Sequence, residues 1–265
     1  MIKDNLHYLE TKISKLKETN MLLAIKAEFE AEGTRIDELS VLSGLCFKWK
    51  IPLTLKIGGP SAKRDIYEAF QFGANNVLVP MVESPFAAEI CSEYFLSISE
   101  AFKLMHKTPK LLINLESQKT IENLDSILDL IKEKNLPINT VVIGRSDLAN
   151  SLRIEDVNSS EILNIVVSTI KKCSKYNINS TLGGNITSKS YKFVEQLGNS
   201  LNAFESRKCT FLNSSSLNED NYTTLINAGL EFELSWLEFK QNMYSQRSNE
   251  ENNRIDLIKK RINIT

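Results

Sequence analysis

The sequence predicts an α/β protein of the TIM-type (β/α)8 barrel class, with one strand irregular or missing and with C-terminal helices. Three observations predict it. Apolar runs of strand length alternate with longer amphipathic stretches, as repeated βα units on a parallel sheet require. The length of 265 residues, 42% of them hydrophobic, suits one large core. Two of the runs, KLLINLES and TVVIGRSDLANSL, carry a carboxylate at their ends, Glu116 and Asp147, with one helix-length segment between them.

Element by element, the strands are expected at Leu22–Phe29, Leu53–Ile57, Asn76–Met81, Lys110–Leu115, Thr140–Ile143, Ile178–Leu182 and Ala203–Arg207. Seven are legible; an eighth is not, so it is either short and irregular or the barrel departs from eight-fold regularity. Between them, Ala62–Phe72, Thr120–Lys134 and Ser160–Tyr176 show Ile and Leu every three or four residues, the spacing of outer-ring helices. Punctuation agrees: Gly58-Gly59-Pro60 and Gly183-Gly184 follow strands, Gly73 ends a helix, and Pro80 and Pro85 bracket a loop. Asn5–Thr19 is a leading helix, expected to cover the bottom of the barrel. Asn218–Gln246 holds Leu225, Leu230, Phe232, Leu234, Trp236, Leu237, Phe239 and Met243, too many apolar positions for a helix on solvent, and is expected to pack against the barrel or a second subunit. The tail from Ser245 opens with a polar break, then offers either a final helix or a partly ordered extension. One barrel domain is therefore expected over residues 1–246, with an extension over 247–265.

Composition narrows the functional classes. The 32 basic and 33 acidic residues are interspersed, giving a net charge of -1 and no field that would attract nucleic acid. Cys46, Cys91, Cys173 and Cys209 stand singly, without metal-type spacing, and read as reduced core thiols. The polar start MIKDNLHYLETK and the lack of any run of membrane-spanning length predict a cytoplasmic protein with no membrane partner. No GxSxG, Walker-type or GxGxxG loop occurs, which argues against a serine hydrolase or a dinucleotide enzyme. The two histidines, His7 and His106, fall far from the strand ends, so a histidine base is not expected.

In such barrels the chemistry sits at the carboxyl ends of the strands. The polar groups there are Glu28 and Glu30, Lys56, Glu83, Asn114 and Glu116, Arg145 and Asp147, Thr181, and Glu205, Ser206 and Arg207. Glu116 and Asp147 would emerge side by side. Mg²⁺ takes oxygen ligands and keeps waters, so two carboxylates plus a chelating 2-keto acid make a sufficient shell, and the cation would stabilise charge on the keto oxygen. Lys56 would face an enolate oxygen or substrate carboxylate, pair with Glu28 or Glu30, or, with a lowered pKa, form a Schiff base. Backbone N–H groups over Gly144, Arg145, Ser146 and Asp147 could hold a substrate carboxylate.

The stretch LKIGGPSAKRDIYEAFQFGANNVLVPMVESP, followed by LLINLESQ and VVIGRSDLANSL, resembles the HpcH/HpaI aldolase and citrate lyase family, whose fold is a PEP/pyruvate-type TIM barrel. The resemblance implies that Glu116 binds a metal, Mg²⁺ or Mn²⁺, and that Asp147, in a version of the family's GPxDL motif, is the second ligand. It also implies a pyruvate, oxaloacetate-like or acyl-CoA-like enolate and a homo-oligomer assembled through C-terminal helices. Two departures stand out. The family's keto-contacting arginine aligns with Lys56, a point charge that cannot reproduce a bidentate guanidinium. The acid-then-histidine pair of the aldolase members is replaced by Glu28 and Glu30 followed by Ala31, so the base is missing; Arg207 is positioned to supply the missing guanidinium. The expected function is a metal-dependent carbon–carbon lyase or aldolase with Lys56, Arg207, Glu28 and Glu30 as catalytic groups. The alternative is a catalytically altered barrel that binds a small carboxylic acid as a sensor or assembly subunit.

Overall fold

The structure, a computed structural model, describes residues 2–103 and 108–261. Its elements run α1 (Ile2–Glu18), β1 (Leu22–Glu28), α2 (Ile36–Trp49), β2 (Leu53–Lys56), α3 (Lys63–Gln71), β3 (Asn76–Val79), α4 (Pro85–Phe102) and β4 (Lys110–Leu115). They continue α5 (Gln118–Glu133), β5 (Ile138–Gly144), α6 (Arg145–Leu152), α7 (Ser160–Lys175), β6 (Asn179–Gly183), α8 (Tyr191–Leu197), β7 (Ala203–Glu205), β8 (Cys209–Leu212) and α9 (Glu219–Arg261). The strands close a barrel in chain order.

Strand and helix starts follow from sequence. Leu22–Glu28 places Leu and Ile among its alternating positions, and Ile138–Gly144 is rich in β-branched Ile, Thr and Val. Ser84, Ser117 and Ser159 cap α4, α5 and α7, each hydroxyl accepting from the backbone N–H three residues on. Pro80 and Pro85 bracket the loop between β3 and α4 as expected, and Pro85 opens α4, where its fixed φ suits the first turn. The core lies mainly between the outward faces of the strands and the helices, with Ile25, Leu55, Val77, Ile113, Ile143 and Leu182 essentially inaccessible.

The eighth strand exists and runs backwards. β8 pairs antiparallel with both β7 and β1, whereas every other neighbouring pair is parallel. A parallel crossover needs a dozen or more residues, and Ser206–Lys208 supplies three, so the chain can only fold back as a hairpin. Arg207 accordingly belongs to that turn and not to the last parallel strand.

α1 does not cover the bottom of the barrel. Its buried stripe, Leu9, Ile13 and Leu16, packs along α9 and α2, and a cavity of about 480 Å³ lined by Thr54, Asn76, Thr140 and Thr181 opens at that end. α1 and α9 instead fill the flank that lacks a β7–β8 helix. The polar break expected at Ser245 is also absent: α9 is continuous over 43 residues, because SQRSNEENN contains no Gly or Pro to stop it. A single helix thus follows β8. His106 and residues 262–265 lie outside the described residues. No helix among those described is long and apolar enough to cross a membrane.

Candidate active site at the barrel mouth

The carboxyl ends of the parallel strands surround a cavity of about 360 Å³. Strand alternation places Lys26 and Glu28 of β1 on the inner face, with Ile25 and Ala27 turned toward the helices. Register sets Glu28 level with Lys56 of β2, and Gly144 of β5 level with Gly183 of β6. Glu116 follows the last residue of β4, and the Ser117 cap immediately after it locks the strand-to-helix turn that aims its carboxylate inward. A wider cleft of about 890 Å³ among Arg35, Arg64 and Arg247 lies on the outside of the barrel and contains none of these strand-end carboxylates.

Glu116 is buried and closely held. Its Oε1 accepts from the Met81 N–H at 3.1 Å, its Oε2 accepts from Asn114 Nδ2 at 2.7 Å, and Lys56 Nζ stands 3.5 Å from Oε2. Burial nevertheless pushes its carboxyl above the usual range, against Lys56, Asn114 and Met81, and Asp147 pushes the same way. Lys56 also pairs with Glu30 at 2.9 Å. Burial would lower the pKa of Lys56, but Glu116, Glu30 and Glu28 more than offset it and hold the ammonium charged. A lowered pKa for Schiff-base chemistry is therefore not what this environment produces. The two shifts differ in source, burial for Glu116 and neighbouring carboxylates for Lys56, and five carboxylates line the mouth against Lys26, Lys56 and Arg207.

The predicted residues distribute as follows. Glu116, Asp147, Lys56, Glu28, Arg207, Gly144 and Ser146 all line the cavity. Asp147 is exposed at the rim, on the first turn of α6. Arg207 is exposed in the β7–β8 turn. Glu30 touches Lys56 but is 40% exposed and stands outside the cavity lining. The Arg145 side chain does not reach the cavity: it is fully buried, donates to the carbonyls of Gly183, Gly184 and Asn185 and to Asn158 Oδ1, and stacks 4.5 Å over the Phe193 ring. Burial lowers its pKa to about 10. It pins α6 to the end of β6 and leaves Gly144, Ser146 and Asp147 of this turn to line the cavity. Glu83 is likewise structural, accepting from Ser117 Oγ and, through its carbonyl, from Asn123.

Several groups at the mouth escaped the sequence reading. Lys26 is buried and bonds Glu205, with Glu28 3.6 Å away. Lys208 is buried against Glu32. Glu233 reaches the cavity from α9. Lys26 had a signal, since it sits two residues before Glu28 and so on the same strand face. Glu233 had none, because nothing local shows where α9 crosses the barrel.

Oxygen donors for a hard cation are present: two carboxylates from adjoining strand ends, and Asn114 Oδ1, which is buried without a hydrogen-bond partner. Among the described residues no three carboxylate, thiol or imidazole groups converge as a metal cage. The set therefore fits a cation that completes its shell with water and substrate oxygens.

The model for the HpcH/HpaI aldolase/citrate lyase family matches residues 56–188, half of the chain, including Lys56, Glu116 and Asp147. The chain belongs to this family. Solved structures share its fold: an HpcH/HpaI aldolase/citrate lyase family protein from Burkholderia cenocepacia has a TM-score of 0.57 at 10% identity, covering 84% of each chain. Citrate synthase SbnG has 0.56 at 14% identity, over 70% of this chain and 78% of that one. A malate synthase of Haloferax volcanii, in its magnesium/glyoxylate complex, has 0.53 at 11% identity, over 65% of this chain and 57% of its own. No curated protein matches the chain by sequence.

Proposed function

We propose that this family member is a carbon–carbon lyase or aldolase acting through the enolate of a pyruvate-type 2-keto acid or related acyl substrate, with Mg²⁺ or Mn²⁺ held by Glu116 and Asp147. The observation that supports the reading most is the shared cavity of Glu116, Asp147 and Lys56 at the carboxyl ends of the strands. When bound, the cation supplies Lewis-acid polarisation of the keto oxygen. The chain's own groups do the rest. Lys56, kept charged by its carboxylate neighbours, faces developing negative charge on the substrate. The first N–H groups of α6 have no intrahelical partners and receive no side-chain cap, which suits a substrate carboxylate over Gly144–Ser146. Arg207, exposed in its turn and lining the cavity, is placed to meet the far end of a longer acid. The proposal includes a cytoplasmic homo-oligomer, supported by the exposed Leu234 and Leu237 on α9.

Oxaloacetate decarboxylation in Mg²⁺ or Mn²⁺ tests it. Asp147→Asn, at an exposed position that leaves the core intact, and Glu116→Ala should each lower kcat/KM about 100-fold, about 3 kcal/mol of transition-state stabilisation. Unchanged turnover in both variants removes the metal site. Pyruvate binding by calorimetry without turnover of any keto acid would select the acid-binding alternative.

A further inference from the structure

The enolate reading leaves one role empty: a group that moves the proton. Ala31 offers the cavity only a methyl, and His7 lies on α1 away from the mouth. The carboxylates at the mouth sort by what already holds them. Glu28 and Glu205 face Lys26; Glu116 is held by Asn114, the Met81 N–H and Lys56. Asp147 stands at the metal position. Glu233 is different. It lines the cavity half-buried and, among the described residues, makes neither a side-chain hydrogen bond nor an ion pair.

Its placement is built into α9. Gly229 lies so close to the hairpin that an added Cβ would stand 3.0 Å from the Phe211 ring and 3.5 Å from Ser206 Oγ. Glycine thus lets the helix close on the β7–β8 hairpin, and Glu233, one turn later on the same face, is delivered over the mouth. The charges facing it are Arg207 and Lys208 from the turn and Glu28 and Glu32 from the end of β1.

We propose that Glu233 is the general base and acid of this site. The assignment rests on the enolate reading above. In enolisation of a keto acid, the C3–H bond breaks, its electron pair forms the C2–C3 double bond as the carbonyl pair moves onto oxygen, and the proton passes to the Glu233 carboxylate. In aldol cleavage, Glu233 takes the hydroxyl proton, the C–C bond breaks toward the enolate, and the same proton is returned to C3. Burial supports this by holding the Glu233 carboxyl above its usual range, against Arg207 and Lys208 and assisted by Glu32 and Glu28. A base with its pKa nearer the working pH transfers protons more effectively.

The test is deuterium wash-in at the pyruvate methyl group in D2O with Mg²⁺ or Mn²⁺, followed by proton NMR beside oxaloacetate decarboxylation. The wild type should exchange, with a rate that rises through an acid limb above the ordinary carboxylate range. Glu233→Gln should lose at least about 100-fold of the exchange and lose the limb, and Glu233→Asp should recover part of it. Decarboxylation, which reaches the enolate by losing CO2, should fall by less than exchange does. Unchanged exchange in Glu233→Gln, or wild-type decarboxylation without exchange, overturns Glu233 and leaves the enolate site standing. Equal loss of both reactions in Glu233→Gln shows a positioning role and also overturns it. Absence of both from the wild type overturns the enolate reading and Glu233 together.

Discussion

Replacing Lys26 by Met removes the cation at the centre of the barrel's buried charge cluster. Its ammonium is wholly enclosed, bonded to Glu205 and 3.6 Å from Glu28. Burial alone would lower its pKa, yet the two carboxylates hold it above 10.5. At 3.6 Å and an effective dielectric of about 20, the attraction to Glu28 alone is about 4–5 kcal/mol before desolvation. Removing one partner of a buried ion pair costs about 3–5 kcal/mol, because the charge left behind has neither water nor a counter-ion. For a chain of this size the unfolding midpoint should fall by roughly 10 °C. The sign of the pH effect follows. In the wild type the Lys26 contribution is fully present below its unfolded pKa and is lost only as pH rises through the raised folded value, so it is constant from pH 5 to 8. Urea unfolding of Lys26→Met at pH 7 should show this deficit, and Lys26→Met with Glu205→Gln should recover part of it. A deficit under about 1 kcal/mol, or no recovery in the double variant, refutes the reasoning.

Gly184→Ala should destabilise by about 2–5 kcal/mol in denaturant titration, since φ is +78° and an added Cβ would stand 2.4 Å from the Ser146 nitrogen. Gly73→Ala, with φ +66° and open space around the position, should lose only about 1–2 kcal/mol; equal effects would show that the close approach to α6 is unimportant. The four thiols should resist a thiol reagent at pH 8 in the native protein and react after unfolding, because burial raises Cys46 and Cys91 to about 12, Cys173 to about 11 and Cys209 further. Rapid reaction of any one in the native state contradicts that burial.

Most of the parallel barrel was legible because its strands are buried on both faces and so appear as apolar runs, with Glu116 and Asp147 ending two of them. What stayed hidden has specific causes. β8, CTFL, follows β7 after three residues, too soon for a helix, and its reversed direction leaves no mark in a four-residue segment. Lys26 stands inside LLAIKAE, where an apolar run masks the period-two pattern that pairs it with Glu28. Arg145 neighbours the predicted ligand turn, but chain position does not tell which way a side chain points once a strand turns into a helix. Its turn toward β6 follows from the Gly183–Asn185 carbonyls collected there.

The reversed strand also connects the fold to the site. A parallel eighth strand would end at the mouth, and the helix after it would run back down the outside. β8 begins at the mouth and ends below, so α9 starts at the bottom and climbs. With 43 residues and a rise of 1.5 Å each, it is about 65 Å long, more than the barrel needs, and overshoots the mouth. On the way, Gly229 lets it close on the hairpin and Glu233 enters the cavity; further on, Tyr244 and Arg247 bond Glu38 and Asp37 at the start of α2. Those last contacts, with the Gly229 packing before them, anchor the helix on both sides of Glu233 and so fix a carboxylate over the mouth that no barrel strand supplies. A three-residue turn too short for a crossover is thus the physical reason that a C-terminal helix contributes to this mouth.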